Sequence, residues 1–318
     1  MNLLFSAYST SLAQARKRLP VPRPVHGAAR AAGGCERHGH AGLASLPRRR
    51  LLKGTMSVLA LGGCASPLLS ACGGDYTGDG GAQDAPTPVV HSVANFRDVG
   101  GAAPGYSTSD GGHVRRGVVY RSDVLTPNAA DAATLESLGI ACVYDLRTPM
   151  ENSNTPRAAL GSANSLALNV LGTLAPPSFA NMQAVELDAA MQAHWRSFVI
   201  GRAQCNAYGA LLEHIAEESG PGLICGGAGV DVVGWASALL LLIANVPLEI
   251  VVADFLLTNA WRSTGVDALN VAPPVQASYL QSAFDALQNG FGDLNRYLTT
   301  GLGLSSATVD TLRARLLV

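Results

Sequence analysis

Hydrophobic and polar positions form alternating blocks along the carboxyl-terminal two-thirds of the chain. Ile140–Leu146 is apolar until its last residues, and Gly222–Cys225 is a second short apolar run. Runs of this length, with polar residues only near the carboxyl end, are typical of buried parallel strands. Two further strands are predicted at Val93–Val99 and Val114–Tyr120, on either side of a loop rich in Gly, Ser and Asp.

Helical spacing fills the stretches between and after these strands. Thr126 or Asn128 can cap a helix that runs through Leu135 and stops at Gly139. Further helices are predicted over Asp188 to about Ala216, over the almost entirely apolar Trp235–Ala244, from Pro247 to about Trp261, and in two or three amphipathic segments towards the end of the chain. Strands that alternate with helices predict an α/β fold with a sheet covered on both faces.

The amino-terminal part has the pattern of an export signal. Arg48-Arg49-Arg50-Leu51-Leu52-Lys53 precedes the uncharged segment Gly54–Ala71 and resembles a twin-arginine signal. Leu69-Ser70-Ala71-Cys72 resembles a lipobox, in which the cysteine is lipidated and becomes the mature amino terminus. Cys64 ends a weaker second match, and a transmembrane helix is the alternative for an apolar stretch of this length. The sequence therefore predicts an exported, membrane-anchored lipoprotein on the periplasmic or cell-surface side.

These signals divide the chain into four parts. Residues 1–46 are a non-structural extension, 47–71 the signal peptide, 72–88 a flexible Gly-, Asp- and Pro-rich tether, and 89–318 the folded domain. With 48% hydrophobic residues in the 318-residue chain, that domain has material for a packed core.

Charge is distributed unevenly between the leader and the body. Residues 1–71 hold ten Lys and Arg and one acidic residue, whereas residues 72–318 hold twelve Arg and twenty-two Asp and Glu. Nucleic-acid binding needs clustered cations, so the acidic body argues against it. The only membrane contact predicted is the lipid on Cys72. The histidine and cysteine spacings match no metal site, and no cofactor is implied.

The strand Gly222–Cys225 runs into the Gly-rich turn Gly226–Gly234 and then into a helix. Such a turn is an anion cradle, because unpaired N–H groups and the helix dipole point at the same place. By itself this signal is weak. Asp145 and Arg147 end the neighbouring buried strand and are expected to line the same site.

Several other segments accompany the turn, and the combination resembles a known family. They are Asn95-Phe96-Arg97-Asp98-Val99-Gly100-Gly101, Arg115–Ser122, Leu138-Gly139-Ile140, Asp145-Leu146-Arg147 with Glu151, Trp235–Leu240, Asp254–Asn259, and Leu302–Leu304 with Leu312-Arg313. This set resembles the bacterial tyrosine-protein phosphatases that include secreted dual-specificity and phosphoinositide phosphatases. The resemblance covers about residues 89–318 and implies a phosphatase-like fold with a central, mostly parallel sheet flanked by helices.

The active loop of that family reads His-Cys-x-x-Gly-Lys-Asp-Arg-Thr-Gly. Its cysteine attacks phosphorus as a thiolate, its arginine clamps the phosphoryl oxygens, and its aspartate protonates the leaving oxygen. Laid on this pattern, the sequence keeps the acid as Asp231. The remaining loop positions are Cys225 at the histidine, Gly226 at the nucleophile, Gly227 and Ala228 at the two variable positions, Gly229 at the glycine, Val230 at the lysine, Val232 at the arginine, Val233 at the threonine and Gly234 at the last glycine.

The replaced nucleophile and cations predict a protein whose phosphatase activity is lost or severely impaired, retained as a binding or scaffolding pseudophosphatase. A phosphorylated protein or a phospholipid is the ligand that the resemblance implies. The alternative is an active phosphatase that uses Cys225 and Asp231. Arg97 and Arg121 are interpreted as structural ties to the loop, and they are also the candidates to replace the missing anion ligands.

Overall fold

A computed structural model of the chain describes residues 85–174, 182–262 and 274–318. All of them belong to one compact unit, Thr77–Val318. The predicted extension, the signal peptide with Cys72 and most of the predicted tether lie outside the described residues.

Five strands form one sheet in the order β1-β2-β5-β3-β4. Strand β1 pairs antiparallel with β2, and the other three pairings are parallel. The strands are β1 (Arg97–Asp98), β2 (Val119–Ser122), β3 (Cys142–Asp145), β4 (Asn164–Ala167) and β5 (Gly222–Cys225). Because β5 is central, the turn that follows it lies at the middle of the sheet's carboxyl edge.

Helices account for most of the other regular structure. They are α1 (Ala129–Ser137), α2 (Pro149–Asn154), α3 (Ala184–Ile200), α4 (Arg202–Glu217), α5 (Asp231–Ile243), α6 (Leu248–Arg262), α7 (Ala277–Phe291), α8 (Leu294–Arg296) and α9 (Ser306–Leu316), with a π-helix at Tyr297–Gly301. This confirms the α/β prediction with a mostly parallel sheet flanked by helices. No helix in the described ranges combines the length and apolar character needed to cross a lipid bilayer.

Two predicted strands differ from those observed. Only Arg97 and Asp98 of the first run pair in the sheet, and β2 begins at Val119. The reason is local: Asn95 adopts a positive φ of 56°, and the Asp98 carboxylate accepts hydrogen bonds from the N–H groups of Gly100 and Gly117. These side-chain bonds turn the backbone where the apolar pattern predicts a strand.

The helix predictions were right in type but differ at several boundaries. Asn128 is the cap of α1, since its side chain accepts a hydrogen bond from the N–H of Asp131. The long helix predicted over residues 188–216 is two helices, separated at Gly201, whose backbone is extended with φ −75° and ψ 128°. Helix α5 begins at Asp231, four residues before the predicted start, and the sequence did not indicate α2 or β4.

The core packs tightly around the sheet and the start of α5. Leu135 of α1 lies in one apolar cluster with Val143, Leu223 and Cys225. Along α5, a side chain at Gly234 would bring its Cβ to 3.1 Å from the Trp195 ring and 3.4 Å from the Phe255 ring. A glycine there lets these two aromatic rings pack directly on the backbone of α5, which fixes the helix that follows the loop.

Candidate functional site

The loop Gly226–Val230 joins β5 to α5 at the carboxyl edge of four adjacent parallel strands, where open α/β sheets bind ligands. Gly227 and Ala228 are exposed, whereas Gly226, Gly229 and Val230 are buried. Val230 occupies the N-cap position of α5, and a valine has no oxygen to accept an N–H bond. The first amides of α5 are therefore not capped by the residue that precedes the helix.

Neighbouring side chains occupy the space beside Gly226, the residue that the family pattern aligns with the nucleophile. A Cβ atom on Gly226 would lie 2.8 Å from Cγ2 of Val233 and 3.2 Å from Cγ2 of Val232. Val233 is fully buried and Val232 is half-buried. The space above the start of α5 is thus apolar and tightly packed at this point.

Cys225 lies on β5, one residue before the loop. Its side chain is fully buried beside Leu135 and Leu223. Burial, with a smaller effect of the Asp145 charge, raises the pKa of the thiol to about 12 despite the opposing charge of Arg147. At neutral pH this cysteine is therefore a protonated core side chain, and only the thiolate is an effective nucleophile.

Asp231 is the first residue of α5 and is half-buried. Burial raises the pKa of Tyr208, and the charges of Tyr297 and Asp231 contribute smaller increases. Tyr208 also donates a hydrogen bond of 3.1 Å to the carbonyl oxygen of Val232. The predicted acid is therefore at the loop, on a turn of α5 that is braced by a tyrosine from α4.

Asp145 and Arg147 form a buried ion pair at the end of β3. The guanidinium binds both carboxylate oxygens, with Nε–Oδ1 at 2.9 Å and Nη2–Oδ2 at 2.8 Å. Arg157 adds a third contact at 3.3 Å. Burial alone would raise the pKa of Asp145, but its hydrogen bonds and the two positive charges hold it below the ordinary value. The Nη1 atom of Arg147 also donates to the carbonyl oxygen of Thr155, so the pair braces β3 against the following turn.

Arg97 and Arg121 share one buried aspartate, and Arg121 also contacts the loop. Both form ion pairs with Asp254 of α6, at 3.3 Å from Arg97 Nε and 3.6 Å from Arg121 Nη1. Arg121 also donates from Nη2 to the carbonyl oxygen of Gly229 at 2.7 Å. Its side chain is fully buried. Burial, together with the nearby charge of Arg97, lowers its pKa to about 9.

Three further residues lie at the site although the sequence did not predict a role for them. The Oε1 atom of Glu151 would be 2.7 Å from a Cβ on Gly227. Asp123 directly follows β2, and burial raises its pKa to about 7. Asn95 donates from Nδ2 to the Gly229 carbonyl at 2.5 Å. A polar residue directly after a parallel strand is a recognisable signal, but β2 was predicted to end two residues too early for Asp123 to show it.

Comparison with known proteins identifies the family of this chain. A sequence model described as "Tyrosine phosphatase family" matches residues 88–318. The chain belongs to the tyrosine phosphatase family. A curated relative from Cupriavidus necator, named "Putative tyrosine-protein phosphatase", is 28% identical over 243 residues, which cover 68% of this chain and 84% of the relative.

The described part of this tyrosine phosphatase family member contains no cluster of metal-ligating side chains. Over residues 85–174, 182–262 and 274–318, no group of three His, Cys, Asp or Glu side chains is arranged to hold a metal ion. The three cysteines described there, Cys142, Cys205 and Cys225, are all buried, reduced thiols.

Proposed function

We propose that this protein is a pseudophosphatase: it keeps the tyrosine phosphatase fold, does not hydrolyse phosphomonoesters by the cysteine mechanism of the family, and serves as a binding or scaffolding module. The observation that supports this most directly is Gly226. The family pattern requires a thiolate there, and the space around its Cα is filled by methyl groups of Val232 and Val233. A phosphorylated protein or a phospholipid remains the ligand class suggested by the family.

The missing cations support the same conclusion. A phosphoryl group carries negative charge that the family clamps with an arginine and a lysine, and here both positions are valines. Removal of a single preorganised donor from an active site costs about 10²–10³ in rate, and this loop also lacks the nucleophile. Arg97 and Arg121 both pair with Asp254 and donate to backbone carbonyl groups, and both are buried, so neither takes the place of the missing loop cations in this conformation.

The alternative is an active phosphatase that uses Cys225 and Asp231. It is favoured by the retained acid at the start of α5 and by the name of the curated relative. The burial of Cys225 and its pKa of about 12 count against it, because attack would need both a thiolate and access to the loop.

Turnover of a small aryl phosphate tests the proposal. We expect the purified full-length protein to show no turnover above that of Cys225→Ser. We expect activity to appear when Gly226→Cys, Val230→Lys, Val232→Arg and Val233→Thr are combined. The last substitution is included because threonine stands at this position in the loop pattern of the family. Turnover by the unmodified protein at enzyme-like rates, abolished in Cys225→Ser, would establish the alternative.

We further propose that the module is exported and held at a membrane by a lipid on Cys72. The support is the order of basic residues, apolar segment and lipobox in residues 47–72. We expect Cys72→Ser to move the protein from the membrane to the soluble fraction of a bacterial host, with loss of the acyl mass from its amino-terminal peptide. Cys64→Ser is the matched control and should leave the protein in the membrane. Release by Cys64→Ser, with no effect of Cys72→Ser, would overturn the assignment.

A further inference from the structure

One carbonyl group of the loop receives two hydrogen bonds from buried side chains. The oxygen of Gly229 accepts from Nη2 of Arg121 at 2.7 Å and from Nδ2 of Asn95 at 2.5 Å. Arg121 lies on β2 and Asn95 lies in the turn before β1, so both bonds connect the loop to segments more than one hundred residues away in sequence.

The backbone at Gly229 is also confined by its surroundings. Its φ is +61°, and a Cβ atom would lie 2.7 Å from the backbone of Ser122 and Asp123. Gly229 itself thus packs on the end of β2, which leaves no room for a side chain at this point of the loop.

The two donors are held in place by a network centred on α6. Asp254 pairs with Arg97 and Arg121 and accepts a hydrogen bond of 3.1 Å from the Tyr106 hydroxyl. Arg97 in turn donates from Nη1 to Oδ1 of Asn95, which fixes the amide so that its Nδ2 faces the loop.

This network lowers the stability of the folded state. Arg121 is fully buried, and among the described residues its Nε and Nη1 atoms have no hydrogen-bond acceptor. Two buried arginines share one aspartate, and an incompletely paired buried charge destabilises a fold, whereas well-packed apolar side chains of similar size often do not.

We propose that Arg121 and Asn95 are positioning residues that fix the Gly229 peptide, so that the loop keeps its cradle shape without a bound ligand. This inference does not rest on the proposed binding function, since it depends only on contacts within the protein.

Amide hydrogen exchange of the full-length protein, followed by mass spectrometry of peptides that cover residues 226–233, tests this. We expect Arg121→Met to speed exchange in those peptides at least tenfold more than in peptides from α7. Arg121→Lys, which can still donate to the Gly229 carbonyl, should restore part of the protection.

Arg116→Met is the matched control. Arg116 is also a buried arginine, and it binds the carbonyl oxygens of Gly101 and Ala85, far along the chain from the loop. We expect it to lower the melting temperature without a selective change at residues 226–233. Equal loop exchange in Arg116→Met and Arg121→Met would overturn the proposal.

Asn95→Asp provides a second variant if Arg121→Met does not fold. Aspartate tolerates the positive φ at this position, and it removes the Nδ2 donor while keeping the size of the side chain. We expect selective loop exchange here too, and unchanged exchange would contradict the role of Asn95. The aryl phosphate assay is independent of these measurements, so failure of the proposed function and failure of this inference are distinguishable.

Discussion

Gly226 is the residue at which this chain departs furthest from the active-loop pattern of its family. Val232 and Val233 occupy the space that a side chain would need there. The absence of a side chain at this position and the apolar packing around the loop are therefore coupled, because a cysteine introduced alone would collide with a fully buried valine.

This coupling predicts non-additive effects on stability. We expect Gly226→Ala to lower the free energy of unfolding by about 1–3 kcal/mol, since the new Cβ overpacks the start of α5. In a Val233→Ala background the same substitution should cost less, with a coupling energy of about 0.5–3 kcal/mol. Urea unfolding of the four proteins measures it. Gly290→Ala, at a helical position with no atom within 4 Å of the new Cβ, is the control and should not destabilise. Strict additivity would show that the two sites do not touch.

At the scale of elements, the ends of the neighbouring strands determine the conformation of the loop. β2 supplies Arg121 below Gly229, and the backbone that follows it packs against the same residue. β3 supplies the Asp145–Arg147 pair beside β5. The α5 helix is fixed from its other side by Trp195 and Phe255 packed on Gly234. None of these contacts involves the side chain at position 226, so the shape of the loop does not depend on the residue at the position of the nucleophile.

A comparison of two glycines tests how firmly β2 confines the loop. Gly229 and Gly111 both have positive φ, +61° and +90°, but only Gly229 has backbone atoms within 3 Å of a built Cβ. We expect Gly111→Ala to cost about 1–2 kcal/mol for its conformation alone. Gly229→Ala should cost about 1–3 kcal/mol more because of the steric overlap. Chemical denaturation of both variants measures the difference, and equal losses would mean that the loop can move away from β2.

At the scale of the whole molecule, buried ionisable groups make stability depend on pH in opposing directions. Burial lowers the pKa of His194 to about 4, so protonation below its unfolded-state value of about 6.5 is linked to unfolding. Burial raises the pKa of Asp98 to about 6 and of Asp123 to about 7, so these carboxyls favour the folded state as the pH falls. Only a variant that removes one group separates these contributions.

His194→Leu isolates the histidine. The stability that the neutral imidazole contributes is complete above pH 6.5 and is lost as the pH falls towards 4, by about 3 kcal/mol at 1.4 kcal/mol per pKa unit. We expect the variant to lose that part of the pH dependence between pH 7 and 4, measured by urea unfolding at each pH. His214→Gln, at an exposed position on α4, controls for the replacement of a histidine outside the core. Parallel profiles for His194→Leu and the unmodified protein would refute the assignment.

The sequence by itself determined the α/β class, the strand Gly222–Cys225 and the family, because each depends on residues that are close together in the chain or on motifs of fixed order. It left the cap of the first helix open between Thr126 and Asn128, and the structure shows Asn128. The tertiary structure alone decided what surrounds the loop. Arg97 and Asp254 are 157 positions apart, and no local pattern predicts their contact. The fit of Val233 against Gly226 likewise arises only once the loop between them is folded. Periodicity and turn chemistry act over a few residues, whereas burial, ion pairing and steric fit arise only after distant segments have been brought together.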